Sequence, residues 1–283
     1  MSNKPSVKVV TDSTSDIEPE QIKRLGITSI PLTVLIGDKT YRDGVDITPQ
    51  EFYKRLPTLE KLPTTSQPSP GLFLKAYEEL IADGSSVISI HLSSKLSGTY
   101  ENAMVAARNF PPGKVRVIDS KQISAGLAFS VYTAVEMTQA GYEIDRIEAE
   151  ARSVAERTQI FATFDTIEYL KKGGRVGGLK AFMGSLLSIK PLIQVKDGEV
   201  QPLEQIRTRN KSLQRLAEIV KKQGKIDRLA ILHGDDLDGA TELANLLTGV
   251  FPLKDIYISF IGPVVGTHTG PRAIGVGIQH AVS

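Results

Sequence analysis

The sequence predicts an α/β fold, and three observations carry that prediction. Strand-like and helix-like runs alternate from the first residues onward, and several of the helical runs open on a cap or proline and close on glycine. With 283 residues and 41% hydrophobic content, the chain can also bury a large core, and its length favours two domains over one.

Residues 7–11 read as a strand, 19–25 as a helix opened by Pro19 and stopped by Gly26, and 27–36 as one further strand. Thr48-Pro49-Gln50-Glu51 has capping-box spacing: the Thr48 hydroxyl caps an N–H, Glu51 reaches back, and Pro49 suits the first helical position. Ser69-Pro70 repeats the signal ahead of Leu72, Phe73, Ala76, Tyr77 and Leu80, which share one apolar face, and Gly84 ends that run. Residues 87–92 form a strand, 93–99 a polar turn, and 100–108 a helix closed by Pro111-Pro112. A third unit has a strand over 114–118, a junction at Asp119-Ser120, and a helix over 123–139 whose all-round apolar composition places it in a core.

The amphipathic helix 144–157 leads to a strand over 159–164, where the crossover between domains is expected, giving 1–160 and 161–283. Beyond it come the glycine- and lysine-rich run Lys171-Lys172-Gly173-Gly174-Arg175-Val176-Gly177-Gly178 and a hairpin over 189–195 and 200–206, turned by Asp197-Gly198. Helices over 211–222 and 240–250 and strands over 228–232, 256–261 and 273–278 complete a second sheet.

Composition narrows the function classes. Without cysteine the chain has no disulfide, no thiolate nucleophile and no cysteine-ligated metal, in keeping with a reducing compartment. The polar start and the lack of any apolar stretch near the roughly 18 residues of a membrane span lead us to expect a cytoplasmic protein. A net charge of +2, without basic-aromatic interleaving, argues against a nucleic-acid partner. Phosphate-loop, dinucleotide, zinc-protease and nucleophile-elbow motifs are all missing, so no cofactor is expected. His91 reads as a core residue, and His233 and His280 have no companions at metal-ligand spacing, so no metal is assigned.

Three distant stretches offer hydroxyls and glycine-exposed backbone: Thr65-Ser66-Gln67, Ser97-Gly98-Thr99 and Gly266-Thr267-His268-Thr269-Gly270. Together they suit a small anionic head group, and each alone could be an ordinary turn or cap. Ser97-Gly98 precedes a helix, where free N–H groups favour an anion, or where Ser97 simply serves as N-cap. Thr65 and Ser66 lie in extended, proline-bracketed backbone, and His268 could donate to an anion or be an incidental loop histidine. Arg175, between glycine pairs, could grip a carboxylate or phosphate, or belong to a solvated basic turn. Asp12-Ser13-Thr14-Ser15-Asp16 is favoured as a cap over a cation site, with Ser13 a possible neighbour of the pocket. A serine nucleophile at Ser97, with His268 as base, stays open.

These residues resemble the DegV family and its bacterial fatty-acid-binding FakB subunits. The likeness rests on the run from Val10 to Asp16, Thr65-Ser66-Gln67-Pro68-Ser69, Leu96-Ser97-Gly98-Thr99-Tyr100, Tyr169-Leu170-Lys171-Lys172-Gly173-Gly174-Arg175 and the run from Gly262 to Pro271, in that order. It implies a two-domain DegV-like fold, with a mainly parallel N-terminal sheet flanked by helices and a mixed C-terminal α/β sandwich. A long-chain fatty acid would lie between the domains, its carboxylate at Thr65 and Ser97 with Ser66 and Gly98 beside them. Arg175 and His268 match an arginine and a histidine at the pocket mouth, and Ser13 and Thr267 are carried as further ligand-binding positions. The implied protein is a carrier, not an enzyme: it takes a fatty acid from a membrane surface, presents it to a separate fatty-acid kinase, and carries the acyl-phosphate to phospholipid synthesis. Alternatives from other classes are a serine-dependent acyl hydrolase and a lipid-free interaction module. Arg272 departs from the family, which commonly has glycine there.

Overall fold

The computed structural model describes residues 6–175 and 189–282; residues 1–5 and the 176–178 part of the glycine- and lysine-rich run lie outside that range. β1 (Val7–Asp12), α1 (Pro19–Leu25) and β2 (Thr28–Ile30) begin the first sheet. Gly26 closes α1 in the left-handed region, at φ 66°, with its N–H on the Ile22 carbonyl. The strand expected over 27–36 is two strands in two sheets. Pro31, which has no N–H to give a ladder, separates β2 from β3 (Thr33–Ile36). Turning through Gly37, β3 meets β4 (Lys39–Arg42), and with β5 (Thr64–Ser66) these make a small antiparallel sheet ordered β4-β3-β5.

α2 (Pro49–Arg55) carries the expected capping box: Glu51 N donates to Thr48 Oγ1 at 3.2 Å and Thr48 N to Glu51 Oε2 at 3.0 Å. α3 (Pro70–Ile81), β6 (Ser86–His91), α4 (Thr99–Ala107) and β7 (Val115–Asp119) follow, completing a parallel sheet ordered β2-β1-β6-β7. Its strands are buried on both faces, as parallel strands usually are. Val10, Val87 and Val117 pack against Phe73 and Tyr77 of α3 and Ala103 and Ala106 of α4. Their neighbours Val9, Ile88 and Ile118 face the opposite way, toward α5 (Ala125–Gln139) and α6 (Ile144–Glu156).

The second sheet runs β10-β9-β8-β13-β11-β12 and is mixed, with β11 and β12 parallel and its other pairs antiparallel. It comprises β8 (Thr158–Thr163), β9 (Lys190–Lys196), β10 (Glu199–Ile206), β11 (Ile226–His233), β12 (Tyr257–Phe260) and β13 (Ile274–His280). The division expected between 160 and 161 falls inside β8. Residues 158–160 pair with β13, so the chain passes to the second sheet at Arg157, between α6 and β8. α8 (Arg209–Lys221) and α9 (Leu237–Leu246) cover its outer face through Leu213, Leu216, Ala240 and Leu243.

The inner face meets α5, which explains why that helix is apolar all round. Leu127, Val131 and Val135 pack on the first sheet, while Ala125 and Phe129 pack on the second. Full burial of each such large side chain is worth about 1.5–3 kcal/mol, so α5 is the element that fixes the two sheets against each other. Two short helices were not foreseen, α7 (Glu168–Lys172) and α10 (Pro263–Thr269). α10 packs Val264 against Leu32, Phe52 and Tyr53 beneath the small sheet. Among the described residues no helix is long and apolar enough to cross a membrane.

Candidate functional site

A cavity of about 340 Å³ lies between the second sheet, the start of α5, α10 and the small sheet. That is within the ordinary size range of small-ligand pockets, about 300–1,000 Å³. Its body is aliphatic: Ile160 and Ala162 of β8, Ile193 and Val195 of β9, Leu232 of β11, and Leu92 and Ile123 from the first half of the chain. Its other end is polar, lined by Thr65, Ser66, Gln67, Ser97, Arg175 and His268.

Three backbone segments place those polar groups. β5 is held in register by β3, with Thr65 opposite Val34. The turn after β6 delivers Ser97 to the start of α4, where Ser97 Oγ pairs with Thr99 Oγ1 at 2.9 Å and accepts the Thr99 N–H at 3.4 Å. Gln67 Oε1 accepts the Gly98 N–H at 3.0 Å, and a Cβ on Gly98 would run into that amide, so the glycine permits the close approach. α10 delivers His268, whose Nε2 lies 2.9 Å from Thr65 Oγ1. The segment around His268, read from sequence as a loop, is thus a helix. Val264, Val265, His268 and Thr269 share the face that lines the cavity.

Two carboxyls, the buried Asp43 and the half-buried Asp16, anchor α10. Gly262 N donates to Asp16 Oδ1 at 3.0 Å, and Ser124 Oγ to Asp16 Oδ2 at 2.5 Å. Asp43 accepts from the Val264 N–H and from the Ser13 hydroxyl. Burial pushes Asp16 well above the usual carboxylate range and Asp43 up to about 7. The His268 ring moves the other way, down to about 4, first because burial disfavours its cation and then because of the Arg175 charge. It is neutral at pH 7. Its Nδ1 is buried and has no partner among the described residues.

Of the expected site residues, Thr65, Ser66, Ser97, Arg175 and His268 line the cavity. Gly98 lies just outside, in an adjoining surface cleft that shares Leu96, Ser97, Arg175 and Val200 with it. Arg175 is exposed at this junction, with Nη1 on the Gly173 carbonyl at 2.7 Å and Nε on the Leu96 carbonyl at 3.4 Å. Thr267 and Ser13 do not line the cavity. One helical step turns Thr267 away from the His268 face, and its hydroxyl donates to the Pro263 carbonyl at 2.9 Å. Ser13 sits in a single 3-10 turn, where its Oγ accepts the Leu32 N–H at 3.1 Å and donates to Asp43. It positions the chain around the cavity. Thr14, Gln67 and Ser124 line it instead. Gln67 belonged to a quoted motif, so its amide was the signal that could have found it.

Asp12 does not serve as a ligand either. Its Oδ1 caps Thr14 N at 3.1 Å, and its Oδ2 lies 3.0 Å from His91 Nδ1; His91 Nε2 in turn lies 2.7 Å from Ser89 Oγ, which accepts from the Tyr77 hydroxyl at 2.8 Å. Asp12, His91 and Ser89 are wholly buried. Among the described residues, no three His, Cys, Asp or Glu side chains converge on a metal-sized site.

Comparison with known proteins gives this arrangement a context. The family model described as uncharacterised proteins of the DegV family matches residues 6–281. A DegV domain-containing protein of Streptomyces coelicolor is 38% identical over 274 residues, covering 95% of this chain and 97% of that one. Among solved structures, a Thermus thermophilus DegV protein described by its fatty-acid binding shares 33% identity, covers 98% of this chain and 100% of that one, and gives a TM-score of 0.91. A Bacillus subtilis DegV, described as a fatty-acid-binding protein, shares 32% identity with the same coverage and a TM-score of 0.90. A stearic-acid-binding protein of Eubacterium ventriosum shares 29% identity, covers 97% and 98%, and gives 0.86. By family match, sequence identity and fold, this chain belongs to the DegV family.

Proposed function

We propose that this protein binds one long-chain fatty acid in the cavity, with the carboxylate toward Thr65 and Ser97 and the tail among Ile160, Ile193 and Leu232. The observation that carries the reading is the division of the cavity into a hydroxyl-lined end and an aliphatic body. The fatty-acid-binding descriptions of the T. thermophilus, B. subtilis and E. ventriosum proteins support the same ligand class. Each buried methylene contributes about 0.8 kcal/mol and each charge-assisted hydrogen bond about 1.5–3 kcal/mol, so the tail sets affinity and the head group sets orientation.

Thr65 has one hydroxyl proton. A neutral His268 that carries its proton on Nε2 donates to Thr65 Oγ1, which leaves the Thr65 proton for the carboxylate. The unpartnered Nδ1 is then a lone pair, which costs less than a stranded N–H.

The protein is a carrier in this reading, not an enzyme. Ser97 Oγ pairs with Thr99 and His268 with Thr65, so among the described residues no base is bonded to Ser97, and the Asp12-His91-Ser89 series is shut inside the core. The two sheets belong to two domains divided at Arg157, with the ligand between them. The exposed end is presented to a separate ATP-dependent fatty-acid kinase in the cytoplasm, and the acyl-phosphate goes on to phospholipid synthesis. Loading takes place during transient contact with a membrane surface. Denaturing extraction of purified protein followed by mass spectrometry should release one acyl chain. Extracts without lipid, combined with no thermal shift on adding fatty acids, would overturn the proposal, and a covalent adduct with a serine-directed probe would favour the hydrolase.

A further inference from the structure

The inner face of the second sheet is lowest at β13. Gly275 lies between Ala162 of β8 and Leu232 of β11, and Gly277 between Ile160 and Ala230. Ile193 and Val195 of β9 stand beyond Ala162 and Ile160. Both glycines line the cavity, and together with the alanines they make a trough walled by branched aliphatic side chains.

The two glycines have different physical reasons. A Cβ on Gly277 would lie 2.8 Å from Ala125 Cβ and 3.1 Å from Ile160 Cδ1, so Gly277 is what lets α5 settle on the sheet. Among the described residues, a Cβ on Gly275 would meet only Phe161 O at 3.9 Å and Ala162 Cβ at 4.0 Å, both ordinary contacts, and its φ is open to any residue. Neither packing nor backbone therefore requires glycine at 275. Yet glycine inside a strand is destabilising relative to alanine, because it loses more conformational freedom on folding. What glycine supplies there is empty space in the cavity.

We infer that Gly275 is a specificity-determining residue that sets how large an acyl chain the cavity accepts; this rests on the fatty-acid reading above. A side chain at 275 projects into the volume the tail would fill, while the head-group residues at the other end are untouched. Valine puts three carbons where glycine has none, and alanine puts one.

The test measures binding of saturated fatty acids of increasing length to the wild-type protein and to Gly275→Val and Gly275→Ala. In Gly275→Val the longest acid that binds at full strength should shorten by about three carbons. Affinity for the longest acid should fall roughly fiftyfold, at about fourfold per methylene left in water. Gly275→Ala should shift by about one carbon and carries the test if the valine variant does not fold. Gly277→Ala, whose methyl would press on Ala125 and Ile160, should lower the melting temperature more than Gly275→Ala does. An unchanged profile in a folded Gly275 variant overturns the inference, as does an equal loss at every length, which would mean general obstruction. If the wild-type protein binds no acid at all, it is the fatty-acid reading that fails.

Discussion

Thr65 and His268 stand 203 residues apart in the sequence and 2.9 Å apart at the cavity's polar end, Oγ1 to Nε2. The bond joins the small sheet to α10, which is itself held by Asp16 and Asp43. The Thr65 hydroxyl is thus fixed from both halves of the chain.

Removing that hydroxyl should weaken binding without abolishing it. Thr65→Ala and Ser97→Ala should each cost about 1.5–3 kcal/mol at most, roughly 10- to 150-fold in dissociation constant by titration calorimetry. Shortening the acid by four methylenes should cost about 3 kcal/mol with any of these proteins. Methyl esters that bind as tightly as free acids would defeat the head-group assignment.

His268 gives a pH signature. Its native value of about 4 lies below the ordinary 6.5, so between those values the unfolded chain takes up a proton that the folded one does not. This contribution to stability is intact above pH 6.5 and is lost as pH falls toward 4. His268→Gln, which keeps an N–H for Thr65, should lose less stability than wild type over that window in urea titrations. Parallel curves would mean the ring is not buried as described.

Local chemistry made part of this arrangement legible. Gly26, the Thr48-Glu51 box and the Asp197-Gly198 turn act within a few residues, and each appears where its own spacing places it. β4 and β5 were missed because they are four and three residues long and expose most of their polar side chains, which leaves almost no apolar period to read. At α10 the Gly262-Pro263 start was a usable signal, and reading it would have placed Val264, Val265, His268 and Thr269 on one face and turned Thr267 away. Thr14 and Ser124 reach the cavity only because two sheets stack about α5, a relationship with no local trace.

Asp43 should titrate with the opposite sign to His268. Its native value of about 7 exceeds the ordinary 3.8, so the folded protein holds a proton that the unfolded chain has released. The resulting stability is greatest below pH 3.8 and is lost as pH rises to about 7. Across that window Asp43→Asn should gain on wild type by an amount on the order of 4 kcal/mol, about three units at 1.36 kcal/mol each. A constant difference from pH 4 to pH 8 would show that Asp43 is ionised throughout.

Arg272 adopts φ 58° and reaches Asp165 at 3.1 Å and Asp236 at 3.6 Å. The left-handed backbone costs about 1 kcal/mol or more, whereas the ion pairs of a guanidinium as exposed as this one contribute about 0–1 kcal/mol, even though Asp236 itself is buried. Arg272→Gly should therefore equal or exceed wild type in stability, and Arg272→Ala, which loses the pairs and keeps the strain, should fall about 1 kcal/mol below the glycine variant. Equal stability of the glycine and alanine variants would remove backbone strain from the account.

Arg175 separates ligand retention from presentation. It is exposed where the cavity meets the outer cleft, and among the described residues its guanidinium bonds to the carbonyls of Gly173 and Leu96. It touches the cavity only at its mouth, away from the aliphatic body that would hold the tail. In the proposed transfer the carboxylate becomes an acyl-phosphate, which gains negative charge at that mouth, and a guanidinium fork binds phosphate oxygens in pairs. Arg175→Ala should purify with as much fatty acid as wild type and form acyl-phosphate at least tenfold more slowly when kinase and ATP are supplied. Arg175→Lys should recover only part of that rate, since lysine supplies the charge without the fork. Both quantities are measured on the same samples: protein that arrives empty would assign Arg175 to holding the ligand, and an unchanged rate would remove it from the transfer.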